Sequence, residues 1–140
     1  MNRLILLACF GCLPLRHICL TSPYGFRIHP VTGQYKFHAG IDLRADHDTV
    51  FAVMDGIVSE VSYNAFLGVY IRLDHGEYQS SYGHLYQVFV LPGDTVLANS
   101  AIAVSGATGR VTGGHLHFAI QYHNHYVNPL KFLFQLMNTK

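Results

Sequence analysis

The stretch His-Leu-His-Phe-Ala-Ile-Gln at residues 115–121 carries an apolar side chain at every second position. This alternation predicts a β-strand with one face buried in a core and the other facing a polar cleft. The apolar face is formed by Leu116, Phe118 and Ile120. His115 and His117 belong to the opposite face, so a strand directs both imidazoles toward one place.

Short segments of the same kind recur along the chain and are separated by turn residues. The predicted strands lie at residues 50–53, 57–63, 69–74, 78–85, 101–105 and 115–122. Asn128-Pro129 predicts the start of a short C-terminal helix. Its packing residues are expected to be Leu130, Leu133 and Phe134, with Leu136 as a further candidate. These patterns predict an all-β dominated fold, a single compact antiparallel β-sheet or sandwich domain with one short C-terminal helix.

A second pattern, His38-Ala39-Gly40-Ile41-Asp42, places an imidazole and a carboxylate four positions apart. The two side chains share a face whether the backbone between them is helical or extended. Together with His115 and His117 they make four candidate ligands of the kinds that zinc binds. A catalytic zinc site uses three protein ligands and leaves the fourth position for water, so one of the four is in excess.

Further motifs accompany these two patterns between Thr21 and about Leu133. They are Ser-Pro-Tyr-Gly-Phe-Arg at 22–27, Tyr-Gly-His-Leu at 82–85 and Gly-Arg-x-x-Gly-Gly-His-Leu-His-Phe at 109–118. On these motifs the chain resembles the LytM or lysostaphin type of zinc metallopeptidase, the M23 family of bacterial cell-wall endopeptidases. The resemblance implies a LytM-like fold of the duplicated-hybrid-motif type.

The resemblance also implies roles for individual residues. The implied ligands of one zinc ion per chain are His38, Asp42 and His117. The implied catalytic histidines are His84 and His115, and Tyr24 lies where some family members place a tyrosine that assists the oxyanion. Which of His84 and His115 takes the first proton stays open.

His84 also has a pattern of its own, because Tyr82 and Tyr86 share its face if this segment is a strand. The polar side of that strand would then look toward the cleft. The chain contains two glutamates, Glu60 and Glu77, and neither belongs to a His-Glu-x-x-His helix. The sequence therefore excludes the mechanism in which a glutamate of that motif acts as the base.

The resemblance implies the function of a zinc-dependent endopeptidase that cleaves peptide cross-links or bridges in bacterial peptidoglycan. Peptidoglycan peptides are thus the expected partners, and glycine bridges and D-alanyl cross-links both stay open as the bond that is cut. The alternative is a catalytically inactive member that binds the cell wall or regulates an amidase. Such proteins typically lose ligands, whereas all five site positions are present here. An unrelated His-rich barrel such as a cupin would explain His-x-His but not the other motifs.

Composition supports one domain without a nucleic-acid partner. Half of the 140 residues are hydrophobic, which is enough for a core, and one domain accounts for the length. Charged residues make up 12%, the formal net charge is +1, and no run of lysine or arginine occurs. Nucleic-acid binding is therefore not expected. The protein is expected to be a monomer.

The N-terminus is open to several interpretations. Residues 1–12 are interpreted as a short signal or anchor segment, and 13–140 as the zinc metallopeptidase domain. The apolar stretch from Leu4 to Leu15 is shorter than the roughly 20 residues that span a bilayer. Export to the periplasm or cell envelope is expected, with membrane contact only if Cys9 carries a lipid. The alternative is that Leu13 to Leu20 forms the opening strand of the fold.

Four smaller predictions concern residues outside the main motifs. Cys19 lies in an apolar run and is predicted to be a small buried hydrophobe. His29 is expected to shape a loop rather than to bind metal. His123-Asn124-His125 is expected to form a turn rather than a second metal site. Arg110 is a candidate for contact with a substrate carboxylate, with a structural hydrogen bond as an equal alternative.

Overall fold

The computed structural model describes residues 13–109 and 113–138. The predicted signal or anchor segment at residues 1–12, which includes Cys9, lies outside the described residues, as does Arg110. Within the described ranges, no helix combines the length and the apolar character that crossing a membrane requires.

Twelve strands and one helix make up the described fold. In chain order they are β1 (Leu20–Ser22), β2 (Gly25–Ile28), β3 (Tyr35–His38), β4 (Ile41–Arg44), β5 (Thr49–Phe51), β6 (Gly56–Asn64), β7 (Gly68–Asp74), β8 (Tyr78–Val88), β9 (Thr95–Val96), β10 (Ala101–Ser105), β11 (His115–Tyr122), β12 (His125–Val127) and α1 (Pro129–Met137).

Ten of these strands form one sheet, and β2 and β3 form a separate two-stranded hairpin. The main path of the large sheet runs β1-β4-β11-β8-β7-β6-β9, with β12 beside β11 and with β10 joining β8 to β5. Its pairings are antiparallel throughout. The predicted all-β antiparallel architecture with a short C-terminal helix is therefore confirmed.

The strand predicted at 115–122 lies at the centre of this sheet, between β4 and β8. Its apolar side chains have no exposed surface, and they pack with apolar residues of the strands on either side. The core members from these strands include Leu116, Phe118, Ile120, Ile41, Leu43, Tyr82 and Leu85. Because one face of β11 is buried so completely, its other face holds His115 and His117 on a rigid support.

The C-terminal helix begins as predicted, and part of its predicted packing face is buried. Asn128 caps it by accepting a hydrogen bond from the backbone N–H of Leu130, and Pro129 opens its first turn. The buried helix residues are Pro129, Phe132 and Leu133. Leu133 is buried and Leu136 packs against the core, as predicted. Leu130 and Phe134 are exposed, so their predicted packing is wrong. The start at Pro129 sets the helical register, and the ring of Phe132 packs against Tyr78.

The chain before β1 is bent rather than extended. Residues 14–17 form bends, and the first strand begins at Leu20, so an opening strand from Leu13 to Leu20 is wrong. Leu15 nevertheless lies in the core, and the carbonyl of Pro14 accepts a hydrogen bond from the N–H of Phe51. Cys19 is exposed, which corrects the prediction that it is buried. Its carbonyl bonds to the N–H of Arg44 while its side chain faces away from the core.

Candidate metal centre

Two strands of the large sheet and the end of the hairpin bring the predicted ligands together. His117 on β11 lies directly opposite Asp42 on β4 in the antiparallel register. His38 is the last residue of β3, in the hairpin. Both His38 and Asp42 are buried. The predicted ligand set is thus assembled from both sheets of the molecule.

A sharp bend at Ala39-Gly40 joins β3 to β4 and turns His38 back over Asp42. Gly40 is required there because the His117 ring passes over it. A Cβ on Gly40 would lie 2.6 Å from the carbonyl oxygen of Phe118 and 2.8 Å from Cε1 of His117. The four-residue spacing therefore brings His38 and Asp42 together through a bend between two sheets, and neither a helix nor a single strand is involved.

The candidate ligand atoms form a nearly equilateral triangle. His38 Nε2 is 3.4 Å from His117 Nδ1 and 3.5 Å from Asp42 Oδ1, and His117 Nδ1 is 3.2 Å from Asp42 Oδ1. Tetrahedral zinc with nitrogen and oxygen ligands at about 2.0–2.1 Å would separate its ligand atoms by about 3.3–3.4 Å. The imidazole and carboxylate donors and their separations therefore fit a zinc ion.

Hydrogen bonding outside the triangle orients its members. His38 Nδ1 is 2.9 Å from the carbonyl oxygen of Pro23, which can only accept, so Nδ1 carries the proton and Nε2 keeps its lone pair for a metal. Burial alone would raise the pKa of Asp42. Hydrogen bonds and charge from His117 and His38 outweigh burial and hold that pKa well below its usual range. Asp42 is thus ionised and ready to act as a ligand.

A β-bulge aims His84 at the same place. Tyr82 pairs with Ile71 and Leu85 pairs with Val69, so β8 holds one more residue than β7 across this interval. His84 has a φ of 62°, a conformation that non-glycine residues rarely adopt. As a result Tyr82 and Leu85 both point into the core, while the imidazole of His84 points to the cleft.

The predicted common face of Tyr82, His84 and Tyr86 is therefore wrong. Tyr82 is fully buried, and its hydroxyl oxygen accepts a hydrogen bond from the N–H of Val53. Tyr86 is exposed and has no part in the lining of the cleft. The bulge interrupts the two-residue period on which that prediction depended.

His84 is held in one tautomer. Its Nδ1 lies 2.7 Å from the carbonyl oxygen of Thr108 and donates to it, which leaves Nε2 with the lone pair. The Thr108 hydroxyl is fixed in turn, since it donates to the carbonyl of Leu85 and accepts from the N–H of Val69. Desolvation by burial lowers the pKa of His84 to about 4, so the imidazole is neutral at neutral pH.

His115 lies beside His84 and is the last of the five predicted site residues. Its ring centroid is 5.2 Å from that of His84, with the rings nearly perpendicular. Burial also lowers the pKa of His115. Among the described residues, two candidate ligand sets have all their atoms within 4.8 Å of one another, namely His38, Asp42 and His117, and Asp42, His84 and His115. Because the sets share Asp42, all five predicted residues belong to one site.

A cavity of about 410 Å³ opens over these residues. His38, Asp42, His84, His115 and His117 all line it. Tyr24 is not part of that lining. Its hydroxyl donates to the carbonyl of Tyr126 at 3.3 Å, and its ring packs edge-on against Phe37.

Three cationic side chains that the sequence analysis gave no role also line the cavity: Arg27, Lys36 and Arg72. Arg72 is neutralised by Glu60 at 3.1 Å. Arg27 and Lys36 occupy directly opposed positions of the β2–β3 ladder. The alternation of Phe26-Arg27-Ile28 and Tyr35-Lys36-Phe37 is the signal that could have placed both cations on one face.

Two further histidines, His29 and His123, have structural roles, and His29 also borders the cavity. His29 Nδ1 accepts hydrogen bonds from the N–H groups of Val31 and Thr32, which confirms its predicted role in a loop. His123 and Asn124 form the turn between β11 and β12 with positive φ angles, so the predicted turn is confirmed as well. The candidate ligand sets found in the described ranges include neither His123 nor His125.

Comparison with known proteins identifies a matching family and several similar proteins. The model of peptidase family M23 matches residues 36–129. The peptidoglycan DD-endopeptidase ShyC of Vibrio cholerae is 42% identical over 105 residues, which cover 74% of this chain and 24% of ShyC. The chain spans about a quarter of the length of the curated relatives it matches.

Solved structures share the fold. A zinc-containing peptidase from Vibrio cholerae superposes with a TM-score of 0.76 at 33% identity, covering 93% of this chain and 40% of that one. The catalytic domain of lysostaphin, an antimicrobial peptidase from Staphylococcus simulans, superposes with a TM-score of 0.75 at 28% identity, covering 84% and 92% of the two chains.

Proposed function

The chain belongs to peptidase family M23, and from this premise we propose that it is a zinc-dependent endopeptidase that cleaves peptide cross-links or bridges in bacterial peptidoglycan. The observation that carries the proposal is the triangle of His38 Nε2, Asp42 Oδ1 and His117 Nδ1, because its sides fit tetrahedral zinc. Two further histidines border the same cavity, so the metal ligands and the proton carriers would serve one bound peptide.

In the proposed site, His38, Asp42 and His117 hold one zinc ion per chain. Zinc with three protein ligands supplies a Lewis acid and an activated water at neutral pH. The hydrogen bond from His38 Nδ1 to Pro23 keeps the lone pair of Nε2 directed at the metal position. The opposed register of Asp42 and His117 fixes the other two ligands through the backbone.

His84 and His115 carry the proton transfers in this proposal. Hydrolysis forms a bond from the water oxygen to the scissile carbonyl carbon, breaks the carbon–nitrogen bond and moves one proton to the leaving amine. His84 is buried, neutral and locked by Thr108, so its Nε2 is a proton acceptor with a fixed direction. His115 stands beside it and would stabilise the negative charge on the carbonyl oxygen or exchange roles with His84.

Tyr24 has the weakest support among the proposed site residues. Its hydroxyl would have to leave the Tyr126 carbonyl to reach an oxyanion. The inactive alternative, a wall-binding protein or amidase regulator, has less support because the five residues of the site are all present and converge.

The proposed substrate lies outside the cytoplasm, so we place the protein in the periplasm or cell envelope, as an exported monomer. In the same proposal, residues 1–12 are a signal or anchor segment. The protein would contact the membrane only through a lipid on Cys9. Peptidoglycan peptides are its expected partners.

The test combines metal analysis with product identification. Purified protein should contain about one zinc ion per chain and should release peptides from purified peptidoglycan, identified by mass spectrometry. Removal of the metal by a chelator should stop release, and added Zn²⁺ should restore it. A metal-free preparation that still released peptides would contradict the zinc mechanism. A zinc-loaded protein that bound peptidoglycan without releasing peptides would instead support the inactive alternative.

A further inference from the structure

Arg27 is a partly buried cation with incomplete hydrogen bonding. Only 14% of its side chain is exposed, and its nearest anion is Asp42, with Nη2 3.9 Å from Oδ2. That separation is too long for a hydrogen bond. The Nε and Nη1 groups are buried and have no hydrogen-bond partner in the described part of the structure. A desolvated guanidinium with unused donors favours a nearby anion strongly.

Lys36 reinforces this charge. It is the direct cross-strand partner of Arg27 in the hairpin, and both line the cavity. Two cations at opposed positions of a ladder repel each other, so this pairing is unfavourable unless an anion lies near both. The described residues that line the cavity include a single carboxylate, Asp42, whose Oδ1 faces His38 and His117.

The excess of positive charge is local rather than general. The whole chain has a formal net charge of +1 and few charged residues. Arg72, the third cation of the cavity, is already neutralised by Glu60. Arg27 and Lys36 therefore concentrate positive charge on one wall of the cavity, immediately beside a metal ligand. A bound zinc ion would add to that charge.

We propose that Arg27 and Lys36 form an anion subsite that binds a carboxylate of the peptide substrate next to the scissile amide. The inference rests on the proposed peptidase function and deepens it. A D-alanyl amide to the distal amine of a diamino dicarboxylic acid has such a carboxylate, on the carbon that bears the acylated amine. A glycine bridge has none beside its internal amides. The subsite would thus select among the bonds that the fold can cut.

Two peptides test the subsite. Both contain a D-alanyl amide to the distal amine of a diamino dicarboxylic acid, and they differ only in whether the carboxyl group on the carbon that bears this amine is free or amidated. For the unmodified protein, kcat/KM should be roughly 10- to 100-fold higher for the free carboxylate, as expected for a charge-assisted hydrogen bond. Arg27→Gln and Lys36→Gln should each shrink this ratio, and the double variant should bring it close to one.

Controls separate the subsite from other effects. Lys131→Gln removes one positive charge from the exposed face of helix α1, outside the cavity, and should leave the ratio unchanged. Lys36 is exposed, so its variant tests the subsite even if Arg27→Gln folds poorly. Zinc content of each variant should match that of the parent. If Arg27 only supported Asp42, both peptides would lose rate equally and the ratio would persist, which would overturn the inference.

Calorimetric binding of the same peptides to zinc-loaded protein distinguishes the two proposals. Cleavage without a preference for the carboxylate would reject the subsite and support the peptidase. A preference in binding that depends on Arg27 and Lys36, without any cleavage, would support the subsite and reject the peptidase. Absence of both binding and cleavage would reject both.

Discussion

The ten-stranded sheet and the β2–β3 hairpin contribute to one site, but they are stabilised very differently. Beneath His117 and Asp42, the neighbouring side chains of β11 and β4 are fully buried. The hairpin instead leaves the outer face of its strands in solvent, with Phe26 66% and Tyr35 72% exposed. The sheet supplies two ligands and both proposed proton carriers, whereas the hairpin supplies His38 and the two cations. Under the two proposals above, most of the chemistry would rest on the sheet, and selection of the substrate would rest on the less buried hairpin.

The largest effect on activity should come from removing His117, a ligand of the triangle that the large sheet supplies. We expect His117→Ala to lose zinc and to reduce activity by roughly 10³-fold or more, since a ligand acts as part of a unit. His115→Ala changes the same face of the same strand two residues away. It should keep zinc, measured by metal analysis, and still lose turnover. Equal loss of zinc in both variants would show that the assigned roles are wrong.

A second comparison measures the stability of the two regions directly. Phe118→Ala in the sheet removes a side chain without exposed surface and should lower the free energy of unfolding by about 3–5 kcal/mol. Phe26→Ala on the outer face of the hairpin should cost less than about 1 kcal/mol, because most of its ring is already in water. Urea unfolding at neutral pH gives both values. Similar losses would mean that the hairpin is buried by a contact in solution.

Burial of His84 on the polar face of the sheet should lower the stability of the protein in acid. The pKa of His84 is about 4 in the folded protein because of burial, against about 6.5 for an ordinary histidine. Between these values the unfolded chain takes up a proton that the folded chain does not. Stability of metal-free protein should therefore fall as the pH drops from 6.5 toward 4, by at most about 3 kcal/mol from this group, and then level off.

His84→Asn is the matched variant for that titration. Asparagine tolerates the positive φ of position 84 but has no proton to gain. The free energy of unfolding of the variant should depend less on pH across this range. Identical slopes for the variant and the parent would assign the acid sensitivity to other buried groups.

The smallest effect, on zinc affinity, is expected at the Ala39-Gly40 bend that connects the hairpin to the sheet. Gly40→Ala would place a Cβ against the ring of His117 and the Phe118 carbonyl, so that ring has to move. We expect zinc affinity to fall by about 10- to 100-fold, the range seen when the support of a metal ligand is disturbed. Competition with a chromophoric chelator measures this. Gly113→Ala, two residues before β11, is a control where φ is not positive and an added Cβ meets nothing within 4 Å.

The parts of this structure that the sequence predicts are those governed by local periodicity. The two-residue period of 115–121 predicts which side of β11 is buried, and Asn128-Pro129 predicts the start of the helix. The five site residues came from ordered motifs, and the structure brings them together.

What the sequence did not predict depends on contacts between distant segments. The bulge at His84 requires its N–H to donate to the carbonyl of Leu67, which is a tertiary contact with no local signal. The exposure of Cys19 depends on how the segment before β1 meets the end of β4, where the N–H of Arg44 donates to the Cys19 carbonyl. Arg27 belongs to a recognisable motif, yet its isolation from acceptors appears only when the hairpin lies over the sheet.

Asp42 faces two groups with its two oxygens, Oδ1 toward the imidazoles and Oδ2 toward Arg27. A cation that binds at Oδ1 withdraws charge from the carboxylate and weakens its hold on the guanidinium, which becomes freer to bind another anion. Thermodynamic linkage makes this effect reciprocal, so an anion that occupies Arg27 raises the affinity for the cation by the same factor. One carboxylate would thus make metal retention depend on substrate and substrate affinity depend on metal.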